Sequence, residues 1–80
     1  MTRDEFVKSI EAKGFKKYKS NNQMNHVREN GHGGTQWAFA GLESADISEW
    51  SNWITPQPCF NNIPYKAITE ELIVACTRLA

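Results

Sequence analysis

The fold is decided by residues 23–40, which read QMNHVRENGHGGTQWAFA. Two runs with strand-forming residues flank a segment that contains Gly31, Gly33 and Gly34. A glycine-rich segment between two such runs is typical of a β-hairpin. This stretch therefore predicts two antiparallel strands at the centre of a small sheet.

The register of this hairpin is left open by the sequence. A two-residue turn places Met24 opposite Trp37, whereas a five-residue loop places Val27 opposite Trp37. A shift of one residue moves every side chain of a strand to the other face of the sheet. The pattern therefore does not decide whether His26 points into the protein or out of it.

The segment before the hairpin predicts a helix over residues 3–13. Thr2 and Glu5 fit a capping box, in which each side chain accepts a hydrogen bond from the backbone of the other residue. Gly14 fits the left-handed position that ends a helix. Residues 15–20 then predict a further strand, which joins the hairpin as a three-stranded meander.

The segment after the hairpin predicts a second helix over residues 46–54, because apolar residues recur at i, i+3 and i+7 from Ile47. Residues 55–65 contain all three prolines and two adjacent asparagines, and they predict an ordered loop without regular structure. Thr69 is the expected N-cap of a last helix, which two glutamates follow in its first turn.

These elements predict a single domain over residues 1–80, in the order α-β-β-β-α-loop-α. Strands in one run with helices on either side favour the α+β class, with a small antiparallel sheet of about three strands packed against two to three helices. The side chains expected between the sheet and the helices are Phe6, Ile10, Trp37, Phe39, Ile47, Trp50, Leu72 and Leu79.

The composition is that of an ordinary globular chain. Of the 80 residues, 40% are hydrophobic, and nine basic residues balance nine acidic ones. Apolar runs are too short to cross a bilayer, so no membrane association is expected, and we expect a cytoplasmic protein. In that reducing compartment Cys59 and Cys76 are expected to be two free thiols.

The patterns that carry catalysis or metal binding are missing from the sequence. His26, His32, Cys59 and Cys76 lack the close spacing of zinc ligands. No activated nucleophile with a base can be argued, and the glycines of the hairpin lack the lysine that completes a phosphate-binding loop. The sequence thus predicts no catalytic residue, no metal and no cofactor, and a protein that is not an enzyme.

Charge is distributed unevenly along the chain. Residues 1–30 hold seven basic and four acidic residues, whereas residues 31–80 hold two basic and five acidic ones. The basic residues Lys13, Lys16, Lys17, Lys19 and Arg28 are interleaved with aromatic residues that include Tyr18. Such lysines either protect an edge strand against aggregation or bind the phosphates of a single-stranded nucleic acid, with Tyr18 as a stacking surface.

A second candidate surface is the aromatic and proline-rich segment over residues 50–65. The helical face of residues 46–54 is too narrow to bury all of its large side chains. Trp53, Phe60 and Tyr65 are therefore candidate anchors for a protein partner. The acidic residues Glu43, Asp46 and Glu49, near the start of the same helix, are expected to assist the encounter.

The function expected from these features is a small, non-enzymatic protein-binding module. A small domain without catalytic motifs is typical of phage-type inhibitors, including anti-CRISPR proteins, which bind a host protein or enzyme complex and block its nucleic-acid or partner site. The alternative is a module that binds RNA or single-stranded nucleic acid through the basic segment from Lys13 to Arg28. The oligomeric state is left open.

Overall fold

The structure is a computed structural model that describes residues 1–18, 25–29, 34–51 and 57–77. Its elements along the chain are α1 (Arg3–Ala12), β1 (Lys16–Lys17), β2 (Asn25–Glu29), β3 (Gly34–Ala40), β4 (Ser44–Ser51), β5 (Gln57–Pro64), a 3-10 turn (Tyr65–Ala67) and α2 (Glu70–Thr77). The strands form one antiparallel sheet whose spatial order follows the chain. The α+β class is confirmed: the described residues form five strands, where about three were predicted, and two α-helices, which agree with the two to three predicted.

Helix α1 begins and ends close to the predicted residues. The Thr2 hydroxyl accepts a hydrogen bond from the Glu5 backbone at 3.1 Å, and the Glu5 carboxylate accepts one from the Thr2 backbone at 2.7 Å. Gly14 has φ +96°, and the Phe15 N–H donates to the Ile10 carbonyl at 3.2 Å. This local chemistry fixes both ends of the helix, because it needs no contact with the rest of the chain.

The strands of the hairpin pair in the register that was predicted for a five-residue loop. Val27 lies opposite Trp37, and Glu29 lies opposite Thr35. This register turns His26 towards the helices, where its side chain is 1% exposed. It also turns Trp37 away from them, so the predicted core position of Trp37 is wrong.

Small residues on the sheet make room for the large side chains of α1. Ala38, Ala40 and Ala45 are buried on the face that the helices cover, beneath the fully buried Phe6 and Ile10. Phe39 lies between two of these alanines and therefore points to the opposite face. Its predicted core position is wrong as well, since 37% of its surface is exposed.

The predicted helix over residues 46–54 is wrong, because β4 occupies most of this segment. It pairs with β3 without interruption from Ala45 opposite Ala40 to Ser51 opposite Gly34. The apolar spacing from Ile47 does not exclude a strand, and pairing with β3 on one side and β5 on the other supplies hydrogen-bond partners for the backbone of β4. The far end of the predicted helix, including Ile54, lies outside the described residues.

The predicted loop over residues 55–65 is also wrong, because β5 lies there as the last strand of the sheet. Prolines are tolerated on an edge strand, since one side of it makes no ladder hydrogen bonds. Pro58 and Pro64 pair with β4 at the two ends of β5, with register shifts between them. Asn62, which has φ 56°, takes up the irregularity.

Helix α2 packs beside β5 and is linked to it covalently. The Thr69 hydroxyl accepts a hydrogen bond from the Leu72 backbone at 3.2 Å, which confirms the predicted N-cap. Ile73 is the large apolar residue that α2 buries completely. The predicted burial of Leu72 is only partial, and Leu79 lies outside the described residues.

Cys59 of β5 and Cys76 of α2 form a disulfide, so the prediction of two free thiols is wrong. Their Cα atoms lie 5.5 Å apart, a separation that suits such a bond. The free thiols were predicted from a reducing cytoplasm, in which disulfides are rare. The cytoplasmic location itself stays a prediction. In the described part of the chain, no helix has the length and apolar character needed to cross a bilayer.

Candidate functional site

The two faces of the sheet have different surroundings. We call the face that carries His26, Arg28, Gln36, Ala38 and Ile47 the inner face, because both helices pack on it. The opposite face, which carries Tyr18, Val27, Trp37, Phe39, Asp46 and Ser48, is called the outer face. No helix among the described residues packs on the outer face.

Aromatic side chains form a row across the outer face. The rings of Tyr18 and Trp37 meet edge to face, with their centroids 5.1 Å apart. Phe39 follows Trp37 on the same side of β3, two residues further along the strand. Tyr18 is 45% exposed and Phe39 is 37% exposed. Contiguous exposed aromatic surface on a folded domain commonly marks a binding site.

A groove of about 320 Å³ lies at the end of this row. The residues that line it are Asn25, Trp37, Phe39, Asp46, Ser48, Phe60 and Asn61. Asp46 lies opposite Phe39 in the ladder, and its Oδ1 accepts a hydrogen bond from the Asn62 N–H. The groove therefore combines aromatic walls with a carboxylate whose position is fixed by β5.

Two of the three predicted aromatic anchors belong to the core. Phe60 is 7% exposed and Tyr65 is 8% exposed. Both rings pack edge to face on Phe6, at 6.4 and 5.9 Å between centroids. The Tyr65 hydroxyl donates to the Gly41 carbonyl at 2.6 Å. Their prediction as exposed anchors is wrong, and Trp53 lies outside the described residues.

The three predicted acidic residues do not share a surface. Asp46 lies on the outer face, in the groove. Glu49 lies on the other side of β4, where its carboxylate accepts a hydrogen bond from the buried Gln36 amide at 3.3 Å. Glu43 is exposed in the turn between β3 and β4. The predicted acidic face is reduced to Asp46, because alternation along a strand separates residues that one helical turn would have brought together.

Lys13 and Arg28 of the predicted basic patch have structural roles. Lys13 forms an ion pair with Glu70 and lies 2.9 Å from the Ser9 hydroxyl, joining α1 to α2. Its contacts and those of Ser9 lower the pKa of the Glu70 carboxyl. Arg28 donates to the carbonyl oxygens of Lys13 and Thr77 and to the Gln36 side chain. Burial lowers the pKa of Arg28, against the opposing effect of Glu49.

The remaining members of the basic patch are spread over both faces. Lys16 lies opposite Val27, on the outer side of β1, and Lys17 lies opposite His26. Both lysine side chains are exposed, as is Tyr18, whereas Lys19 lies outside the described residues. The structure thus places Lys16 and Tyr18 on the outer face and the other described basic residues elsewhere.

The described histidine and cysteine side chains are buried or bonded within the fold. His26 is buried, with Nε2 3.2 Å from a Glu11 carboxylate oxygen, and its Nδ1 has no hydrogen-bond partner within the described residues. Cys59 has no thiol to offer, because it is bonded to Cys76. Over residues 1–18, 25–29, 34–51 and 57–77, no three histidine, cysteine or carboxylate side chains converge as metal ligands do.

Comparison of the chain with protein-family models, curated proteins and solved structures gave no match. The candidate site therefore stands on its own geometry. Sequence reasoning found Tyr18 and Asp46 but assigned Trp37 and Phe39 to the core. The strict alternation of alanine with aromatic residues over 37–40 is the pattern that could have indicated an aromatic outer face.

Proposed function

We propose that the protein is a non-enzymatic protein-binding module that contacts its partner through the outer face of the sheet. The observation that carries the proposal is a row of aromatic side chains beside a groove, in which Tyr18 and Phe39 are exposed and Trp37 is half-buried. Tyrosine and tryptophan are enriched at the energetic centres of protein interfaces, because their rings bury much area at low cost in conformational entropy. A sheet supports them on a rigid backbone, so little ordering is required on binding.

The charges on this face favour a protein partner over a nucleic acid. Asp46 places a carboxylate where a phosphate backbone would be repelled. Lys13 and Arg28 are held by other parts of the fold, so they do not contribute a track of free cations. Binding to RNA or single-stranded DNA through Lys16 and Tyr18 is therefore the alternative outcome of the experiment below.

The proposal extends to how such a module would act. A domain of 80 residues with an exposed aromatic face has a simple mode of action, which is to cover a site on a larger protein. Inhibition of a host protein or enzyme complex, by blocking its nucleic-acid or partner site, fits that mode. This is the mode of phage-type and anti-CRISPR-like inhibitors, and it is part of the proposal.

A pull-down with matched surface variants tests the proposal. The tagged protein is incubated with host lysate, with and without nuclease, at low and at moderate salt. Phe39→Thr and Tyr18→Thr remove outer-face rings while keeping strand-compatible residues, and Leu42→Ser and Val74→Ser remove exposed apolar side chains elsewhere.

We expect capture of one discrete protein, and this capture should persist after nuclease treatment. The two control variants should still bind that protein, whereas the two outer-face variants should not. Loss of about 2 kcal/mol in binding is typical when an interface anchor is removed. Capture of the same protein by all four variants would overturn the assignment to the outer face. Recovery of nucleic acid, with binding that falls steeply with salt, would favour the alternative.

A further inference from the structure

We propose that the groove on the outer face receives an arginine side chain of the partner protein. The inference rests on the proposed function, and it names the chemistry that the partner must present. Three features carry it: the aromatic walls, the fixed carboxylate and the lack of a basic residue among the described residues that line the groove.

The walls of the groove suit a flat cation. Trp37 and Phe39 lie on the same side of β3 and both border the groove. A guanidinium group is planar and weakly hydrated, so it stacks on an aromatic face more readily than an ammonium does. The attraction between a cation and a ring face strengthens as water is removed, which binding of a partner over the groove would do.

The carboxylate of Asp46 supplies the charge that such a cation needs. Its Oδ1 accepts the Asn62 N–H, so the side chain is oriented before any partner binds. A carboxylate has lone pairs for several hydrogen bonds, and the guanidinium fork offers five N–H donors. Asn61, which also lines the groove, is exposed on β5 beside it. A guanidinium in the groove would thus meet a ring face on one side and oxygen acceptors on the other.

Charge complementarity selects a basic occupant. Asp46 is the charged residue among the described residues that line the groove, and none of them is a lysine or an arginine. Lys13 does not neutralise Asp46, because it forms its ion pair with Glu70 of α2. The described residues of the groove therefore present a carboxylate and aromatic rings without a cation of their own.

A titration with short peptides tests the inference on the intact protein. The probes are acetyl-Gly-Arg-Gly-amide, the same peptide with citrulline, which is neutral and of nearly the same shape, and the same peptide with lysine. Binding is followed by two-dimensional ¹H–¹⁵N NMR, through the Trp37 indole and the backbone amides of residues 37–39 and 46–48. A short peptide offers few contacts, so we expect a dissociation constant on the order of millimolar.

We expect saturable shifts at these groups with the arginine peptide. The citrulline peptide should bind at least about five-fold more weakly, since it lacks the charge, and the lysine peptide about two- to five-fold more weakly, since it lacks the planar fork. Equal shifts with arginine and citrulline, or no saturable shift with arginine, would overturn the inference.

A matched pair of substitutions separates the carboxylate from general effects of charge. Asp46→Asn keeps an oxygen that accepts the Asn62 N–H, so the irregular backbone of β5 at Asn62 is preserved while the charge is lost. Glu43→Gln removes the same charge from the exposed turn outside the groove. We expect Asp46→Asn to weaken arginine binding by about five-fold or more, with Glu43→Gln within about two-fold of the original protein.

The same substitutions distinguish a failure of the inference from a failure of the proposed function. A partner that is lost with Phe39→Thr but retained at full strength with Asp46→Asn would leave the outer face as the interface and exclude an arginine at Asp46. A partner that is retained with Phe39→Thr would instead remove the proposed interface itself.

Discussion

The guanidinium of Arg28 joins three elements of the fold. It donates to the carbonyl oxygen of Lys13, which follows α1, at 2.7 Å and to that of Thr77 in α2. Its Nε donates to Gln36 of β3 at 3.0 Å, and its carbon lies 4.9 Å from the centre of the Phe15 ring. Each acceptor would lose a charged donor if the Arg28 side chain were removed. Hydrogen bonds from a charged donor contribute more to the free energy of unfolding than neutral ones do.

We expect Arg28→Ala to lower the free energy of unfolding by about 2–3 kcal/mol, because several partly buried acceptors lose their donor. Arg28→Lys should recover less than half of that, since one ammonium cannot reach three separate acceptors. Urea unfolding followed by tryptophan fluorescence measures both. Lys16→Ala is the control, and an exposed lysine should change stability by less than about 0.5 kcal/mol. Equal stability of Arg28→Ala and Lys16→Ala would contradict the structural role.

Tyr65 is a second residue whose properties depend on the fold, because its hydroxyl has a shifted pKa. Burial raises its pKa, and the charge of Arg3 offsets part of the effect. The folded protein therefore holds the proton more tightly than the unfolded chain does. The stabilisation is fully present below the unfolded pKa near 10 and is lost as the pH rises through the folded pKa.

Tyr65→Phe should therefore change the alkaline limb of the stability profile. Near pH 8 the substitution should cost about 1 kcal/mol, because the hydrogen bond to the Gly41 carbonyl is lost. Above about pH 10 the original protein should lose stability faster than the variant, so that the difference between them narrows. Denaturant midpoints from pH 8 to 11 test this, and two parallel profiles would contradict it.

At the scale of elements, the disulfide holds α2 against the edge of the sheet. Cys59 and Cys76 are separated by 17 positions, and closing a loop of this length removes conformational freedom from the unfolded chain. Other contacts of α2 with the rest of the fold include the ion pair of Lys13 with Glu70 and the Thr77 carbonyl on Arg28. Two hydrogen-bonded contacts of this kind restrain α2 less than a covalent bond does.

Reduction of the disulfide should lower the free energy of unfolding by about 3 kcal/mol. Thermal unfolding with and without dithiothreitol measures the loss, and a thiol assay confirms that the bond is open. The variant with both Cys59→Ala and Cys76→Ala serves as the control and should be indifferent to the reductant. An unchanged melting temperature after complete reduction would show that α2 is held by its other contacts.

The elements also differ in how far the sequence determines them. Helix α1 could be predicted because its capping box and Gly14 act within one turn of the chain. The strand β4 could not be predicted, since the apolar spacing from Ile47 fits a helix. The pairing of this segment with β3 decides in favour of a strand. The prolines of β5 argued against a strand, and an edge strand tolerates them because one of its sides makes no ladder hydrogen bonds.

For the molecule as a whole, the hairpin register decides both the core and the candidate site. With Val27 opposite Trp37, Ala38 faces the helices and Phe39 faces away from them. The sequence allowed two registers, so composition alone could not say which aromatic residues are buried. Trp37, which was predicted in the core, thereby joins the aromatic row of the outer face, whereas Phe60, a predicted anchor, enters the core opposite Ile47.

This division into two faces makes a prediction about stability that also bears on function. Phe6→Ala on the covered side should lower the free energy of unfolding by about 3–5 kcal/mol, since it opens a cavity where a fully buried ring was. Phe39→Thr on the outer face should cost less than about 1 kcal/mol, because the ring is partly in water already and threonine suits a strand. Urea unfolding of both variants measures the difference. A loss with Phe39→Thr as large as that with Phe6→Ala would mean that the outer face stabilises the folded chain itself, and a face used in that way would not be open to a partner.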